Sequence, residues 1–221
     1  MKKKIKIAYL LDKSNNWLEK YLKISDLITK SQIYKSKIFK DYRTLYGYDI
    51  VFILGYSKIL KDSFLNKNKL NLVVHESELP QGKGFAPVSW QILENKNKIS
   101  VCLFKATDKV DSGPIYFKGK INFNGTELYD EIRFKQAKAT IKIVNKFLKK
   151  YPKISAKAQK GKSSYYRKRK IDDHEININL TIKKSFNKLR IGNNKKWPSY
   201  FYLKKKKYII KIFNGNERNK K

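Results

Sequence analysis

Two histidines stand among the 221 residues, and one of them closes a buried-looking run in front of a Pro/Gly segment: NLVVHESELPQGKGFAPVSW, residues 71–90, with His75 at the junction. An imidazole ordinarily titrates near pH 6.5, which suits proton transfer at neutral pH. The carboxyl end of a central parallel strand is also where open α/β sheets place their ligands. The plain alternative is a histidine packed against the edge of the sheet. A carboxylate, Asp111, follows 36 positions later (111 − 75) and opens Asp-Ser-Gly; it can orient an imidazole or relay a proton, or serve only as a turn residue. Between them Gln81-Gly82-Lys83-Gly84 is a turn whose backbone can approach a ligand closely, or an ordinary strand-to-helix loop. It lacks the G-x-x-x-x-G-K-[ST] spacing of a phosphate-binding P-loop. Trp17 can stack on a planar ring or sit at the edge of the core.

Several chemistries are excluded at once. A single cysteine, Cys102, permits neither an internal disulfide framework nor a cysteine-based zinc site, and two histidines leave little for a histidine one. No metal is therefore expected, Cys102 reads as a buried strand residue, and a reduced, cytoplasmic setting fits. The opening MKKKIKIAYLLDK has a basic front and an apolar stretch, but Lys6 interrupts it and no small-residue cleavage site follows, so it reads as a first strand rather than a signal peptide. No apolar run approaches the length of a membrane span.

The elements that would position His75 follow from periodicity. Ile5 to Leu11 is one strand, ending in a polar loop that opens a helix at Trp17. Ile50 to Leu54 and Leu70 to His75 read as strands buried on both faces, as a parallel sheet requires, with a short helix in SKILKDSFL between them. Pro87 starts a helix in PVSWQILEN. SVCLFKAT is a further strand, and PIYFKGKINFNG reads as a hairpin-like pair. Thr126 is expected to cap a long helix, with Glu127 in its first turn and Leu128, Ile132, Ile141, Val144 and Leu148 on one stripe, stopped at Tyr151-Pro152. The expected fold is α/β, a mostly parallel Rossmann-like sheet with helices on both faces in residues 1–152. Residues 153–162 read as a linker and 163–221 as a small mixed region, in which His174 is expected to be solvated and the basic runs Arg167–Lys170 and Lys204–Lys207 read as solvated faces, the first with the alternative of meeting a diphosphate.

The combination His75-Glu-Ser77-Glu-Leu79-Pro80, then Gly84-Phe-Ala86-Pro87 and Trp90, then Val110-Asp111-Ser112-Gly113 resembles the N-x-H-x-S-x-L-P … G-x-A-P … D-[ST]-G pattern of formyltransferases that use N10-formyltetrahydrofolate. The resemblance runs from the strand at Ile50 to the helix ending near Leu148 and continues weakly into RKRKIDDHEI and WPSYF. The cast of the motif is most similar to the amino-sugar N-formyltransferases of surface-polysaccharide synthesis, relatives of methionyl-tRNA formyltransferase. It implies attack of a substrate amine on the formyl carbon through a tetrahedral intermediate, with His75 handling the proton on the oxyanion side and Asp111 orienting it or relaying a proton. It further implies a pterin pocket walled by Gly55, Tyr56, Ile59 and Leu60 and by Thr107, Asp108, Lys109 and Val110. Contacts to a nucleotide-linked amino sugar fall on Asn16, Trp17, Ser77, Gln81, Gly82, Lys83 and Gly84. One departure matters: the family's asparagine two residues before the histidine is Val73 here. Loss of one oxyanion donor typically costs about 10²–10³ in rate, and Asn71, on the same strand face but about 6.6 Å away, is poorly placed to replace it. Recruitment of a donor from Glu76, Ser77 or a backbone N–H is the expected remedy.

The formal charge of +34 invites a nucleic-acid reading. Only six of the 52 basic residues are arginines (Arg43, Arg133, Arg167, Arg169, Arg190 and Arg218), and base readout leans on arginine's bidentate fork; the lysines are scattered with Ile and Asn as a compositional bias would scatter them. No specific nucleic-acid partner is expected. The rivals are a methionyl-tRNA formyltransferase, against which the short C-terminal region counts, a glycinamide ribonucleotide formyltransferase, and a non-catalytic basic nucleic-acid binder on the same scaffold. Pairing of C-terminal strand edges into a homo-oligomer stays open.

Overall fold

In a computed structural model, residues 4–13, 16–25 and 33–215 are described, Asn16 by its backbone only. The apolar runs become the centre of a six-stranded sheet, ordered β2-β1-β3-β4-β6-β7. Strands β1 (Ile5–Leu11), β2 (Tyr34–Phe39), β3 (Ile50–Leu54) and β4 (Leu70–His75) are parallel neighbours. Strand β6 (Lys98–Lys105) then pairs antiparallel with β4, and β7 (Ile115–Asn122) with β6.

Every residue of β3 is buried, because helices cover both faces of the sheet. On one face Tyr9, Phe52, Leu72 and Val74 meet Val144 and Phe147 of α4 (Tyr129–Lys150). On the other, Ala8, Leu10, Val51 and Ile53 meet Leu60 and the short α2 (Asp62–Leu65). Helix α1 (Glu19–Lys23) follows a 3₁₀ turn at Asn16–Leu18, and α3 (Pro87–Leu93) carries Pro87 in its first turn, where the missing N–H costs nothing. The fold class expected from the sequence is the one observed.

Three local expectations are corrected. PIYFKGKINFNG is not a hairpin pair: residues 115–122 run as one strand along β6. Thr126 does not cap α4. The helix starts at Tyr129, Leu128 is its N-cap with its N–H donating to Glu131 Oε2 at 2.9 Å, and Glu127 lies before the helix, accepting the backbone N–H groups of Asn124 and Gly125. His174 is 7 % exposed rather than solvated, its ring stacked on Trp197, and burial pulls its pKa down to about 4.

Residues beyond α4 fold back onto the sheet. Lys157 exchanges two backbone hydrogen bonds with Ile115, at 2.7 and 2.8 Å. Strand β8 (Tyr165–Tyr166) pairs with β5 (Lys83–Gly84). Helix α5 (Ile182–Arg190) ends in a buried guanidinium that contacts Glu127, Asn97 and Asn187, and β9 (Ser199–Leu203) forms a hairpin with β10 (Lys206–Ile210). No helix among the described residues is long and apolar enough to cross a membrane, and no three His, Cys, Asp or Glu side chains among them are grouped to hold a metal.

Candidate active site

Strands β1, β3 and β4 end at the same edge of the sheet, and β4 delivers His75 there, 6 % exposed. The ring is held between two acceptors. Nε2 lies 2.8 Å from the carbonyl oxygen of Gly82, and Nδ1 lies 3.5 Å from Oδ2 of Asp111. A carbonyl cannot donate, so Nε2 carries the proton and Nδ1 is the nitrogen that faces the carboxylate. Gly82 reaches the ring because it has no side chain: at φ +68°, a Cβ there would come within 3.0 Å of Ser77 and 2.9 Å of Tyr166.

Asp111 occupies a left-handed conformation, φ +45°, and its Oδ2 also accepts the N–H of Gly84 at 2.8 Å. The turn behind it is tight. Ser112 Oγ donates to the carbonyl of Val110 and accepts from Nζ of Lys83, each at 2.8 Å. Gly113 lies so close to β6 that a Cβ would stand 1.7 Å from the carbonyl oxygen of Lys105. Lys83, buried, also lies over the ring of Tyr165.

Beside this pair is a pocket of about 140 Å³. Its floor is apolar, from Ile53, Val73 and Phe104, and Asp111 lies on its wall. Of the eight residues expected to wall a pterin pocket, Tyr56, Ile59, Leu60, Thr107, Lys109 and Val110 line it; Gly55 and Asp108 are exposed and do not. One wall is fixed by a residue that sequence reasoning missed: Asp12, just past β1, accepts both the backbone N–H of Ser57 at 3.1 Å and its hydroxyl. Its only signal was its place after a buried strand. A planar heterocycle fits an apolar slot of this kind, whose loops supply backbone groups at the rim.

The expected acceptor-side residues divide. Gln81 is exposed; Gly82, Lys83 and Gly84 form the loop that holds His75 and Asp111; Ser77 is 1 % exposed, with a hydroxyl that has no partner among the described residues. The side chain of Asn16 lies outside the described residues. Trp17 borders a second hollow of about 390 Å³, together with Lys20, Tyr21, Asp130 and Arg133. The Arg133 guanidinium lies 5.0 Å from the ring centres of both Trp17 and Tyr129. It is tied to the neighbour of His75, since Arg133 Nη1 donates to Gln136 at 2.7 Å and Gln136 Nε2 donates to Glu76 at 2.6 Å. Of the run Arg167–Lys170, Arg167 pairs with Asp173. Arg169 is not a solvated surface residue: burial pulls its pKa down to about 10, with Asp173 opposing and the positive charge of Arg133 adding to the effect. Its Nε and Nη2, the Nε of Arg133 and the indole N–H of Trp17 are all buried with no partner among the described residues.

An open, mostly parallel α/β sheet with a histidine and a carboxylate meeting at its carboxyl edge, beside an apolar slot, defines an α/β protein with its cleft where such sheets bind ligands. Residues 3–147 match the formyl transferase family, and the chain belongs to it. It is 28% identical over 173 residues to methionyl-tRNA formyltransferase of Sulfurihydrogenibium, covering 76% of this chain and 54% of that protein. It is 31% identical over 175 residues to the bifunctional polymyxin resistance protein ArnA of Wigglesworthia glossinidia brevipalpis, covering 77% and 27%. The chain thus spans about half, or less, of the length of these curated relatives. Among solved structures, methionyl-tRNA formyltransferase from Clostridium thermocellum superposes with a TM-score of 0.77 at 17% identity, covering 95% of this chain and 92% of that one. HypX from Aquifex aeolicus in complex with tetrahydrofolic acid gives 0.78 at 13%, covering 95% and 38%. A sugar N-formyltransferase from Shewanella gives 0.65 at 13%, covering 95% and 97%. At these identities the structural likeness shows the fold.

Proposed function

We propose that this protein transfers the formyl group of N10-formyltetrahydrofolate to the amine of an amino sugar carried on a nucleoside diphosphate. The observation that carries the reading is that Asp111, paired with the buried His75, lies on the wall of a slot lined by Tyr56, Ile59, Leu60, Thr107 and Val110. The folate supplies an activated formyl carbon. The chain supplies the slot that orients it and a proton carrier: as the amine nitrogen bonds to the formyl carbon it gives up a proton through Asp111, which lines the slot, to Nδ1 of His75, and the same pair returns that proton to the folate N10 as the formyl C–N10 bond breaks. Gly82 holds the far nitrogen, so the ring cannot turn away. An imidazolium formed in this way carries N–H groups on both sides, and the carboxylate beside it stabilises the charge.

The nucleotide part of the reading is supported by the second hollow. Arg133, whose Nε has no acceptor among the described residues and whose guanidinium lies 5.0 Å from the rings of Trp17 and Tyr129, joins Lys20 and Lys23 there against the carboxylates of Glu19 and Asp130, a cationic and aromatic lining that suits a phosphate-bearing group with a planar base. A methionyl-tRNA acceptor is the second reading, favoured by the sequence similarity to methionyl-tRNA formyltransferase.

The test is formylation by purified protein given N10-formyltetrahydrofolate and, in parallel, uridine- and thymidine-diphosphate amino sugars or methionyl-tRNA. Turnover is expected with a sugar, and His75→Ala should lower kcat/KM by about 10²–10⁴-fold. Turnover with methionyl-tRNA alone selects the second reading. Equal rates for wild type and His75→Ala overturn the catalytic role.

A further inference from the structure

We infer that Gln159 is a positioning residue for the catalytic pair, and that residues 157–166, which follow the 3–147 stretch matched by the family model, complete the site. The inference rests on the catalytic reading of His75 and Asp111.

The side-chain amide of Gln159 donates from one nitrogen to two carbonyls, those of Asp111 and Gly113, both at 2.9 Å. Both neighbours are acceptors, so the nitrogen must face them; Oε1 is left buried with no partner among the described residues. The amide therefore straddles the turn that presents the carboxylate, at a residue whose left-handed backbone, φ +45°, needs support from its surroundings. The segment carrying Gln159 is itself anchored to β7 through the Lys157–Ile115 bridge.

The other half of the pair is held from the same stretch. Ser164 accepts the N–H of Gly82 on its hydroxyl at 2.9 Å and the N–H of Lys83 on its carbonyl at 3.0 Å, and Tyr166 accepts the N–H of Phe85 at 3.0 Å. Gly82 is the residue whose carbonyl fixes His75, and Gly84 the one whose N–H fixes Asp111. A β-bridge, an amide and a hydroxyl from residues 157–166 thus set the two loops against each other. Glycine-rich and turn backbone has many conformations to lose, and misplacement by about 1 Å can cost about 10²-fold in rate.

The test uses the whole chain with Gln159→Leu, which removes the donor, Gln159→Glu, which keeps the shape and reverses the polarity, and Ser164→Ala as an independent second site. With only two histidines in the chain, ¹⁵N NMR of the imidazoles reads His75 with His174 as internal control. The expected result is that His75 signals shift or broaden while those of His174 and the melting temperature stay put. Tetrahydrofolate affinity should hold, and kcat with the amino sugar that turns over should fall by about 10–100-fold at unchanged KM, Glu worse than Leu. His75 signals superimposable on wild type, with unchanged kcat, in Gln159→Glu and Ser164→Ala would overturn the inference. A fully active His75→Ala would instead sink the catalytic reading, and the NMR result would still report whether Gln159 sets the geometry.

Discussion

At position 73 the side chain that faces the slot is a valine, and none of the side chains named as its replacement is placed to donate in its stead. Asn71 spends its amide on the carbonyl of Leu65 at 2.8 Å, Glu76 is held by Gln136, and the Ser77 hydroxyl is sealed in the interior. Of the remedies expected from the sequence, a backbone N–H is the one these contacts leave. Val73→Asn should therefore raise kcat, by about tenfold or more given that one such donor is worth about 10²–10³; steady-state kinetics at saturating folate measures it, and an unchanged kcat would show that backbone donors already suffice. Gly113→Ala should do the reverse to the fold, since its Cβ would meet a strand carbonyl at 1.7 Å; a loss exceeding about 3 kcal/mol in denaturant unfolding is expected. His174 gives a pH signature. Its folded pKa, about 4, lies below the ordinary 6.5, so between those values the unfolded chain binds more protons. Stability is full above about pH 6.5 and falls as pH drops toward 4; in His174→Phe that part of the slope in melting temperature against pH should vanish. The sequence did not betray this burial, because the neighbours of His174 are polar and its cover, Trp197, comes from 23 positions on (197 − 174). That His75 and Asp111 meet was legible from the motif resemblance and its 36-residue spacing, an apolar strand and a glycine turn marking only where each one lies. Gln159 was not: nothing in a Lys/Ala/Gln stretch shows that its amide meets a turn nearly fifty residues earlier.

Elements were legible where a whole period of side chains is buried. Strands β1, β3, β4 and β6 announce themselves as apolar runs, and α3 and α4 by spacing. Strand β2, YKSKIF, alternates lysine with Tyr34, Ser36 and Ile38 at the open edge of the sheet and gave no clear apolar run, as edge strands often do. In 115–122 the alternation was real, but it belongs to one strand rather than a hairpin-like pair, and Gly119 within it faces Ile143 at ordinary contact distance. The start of α4 was misjudged because Glu127, an acidic residue after a threonine, imitates a first turn. Its carboxylate, 3 % exposed, instead receives Lys135 and the buried Arg190 of α5, whose guanidinium also reaches Asn97 at 3.2 Å. Glu127→Gln would leave Arg190 buried without a counter-charge, and a loss of about 3–5 kcal/mol is expected, read by chemical denaturation. Double replacement with Arg190→Met should recover part of it, since matched removal of a buried pair costs less than removal of one partner.

For the whole molecule, +34 charges over 221 residues set behaviour in solution more than they set function. The lysine run Lys204–Lys207 covers the turn of the β9–β10 hairpin and the first two residues of β10, all exposed, and none of it lines the slot. Binding to duplex DNA should be measurable at low ionic strength and fall steeply, with no sequence preference, by 0.2 M salt in fluorescence anisotropy; tight binding that survives that salt would favour the transfer-RNA reading. A quieter feature of the interior offers a direct gauge. Cys102 stands across the β4–β6 pairing from His75, fully buried, its thiol pointing to the carbonyl of Ser77 and pushed up to about 11 by burial. As the sole sulfhydryl in the chain, it can be alkylated only when those two strands part, so the labelling rate is a clock for how often the strand that carries His75 comes loose, ticking without any engineered probe.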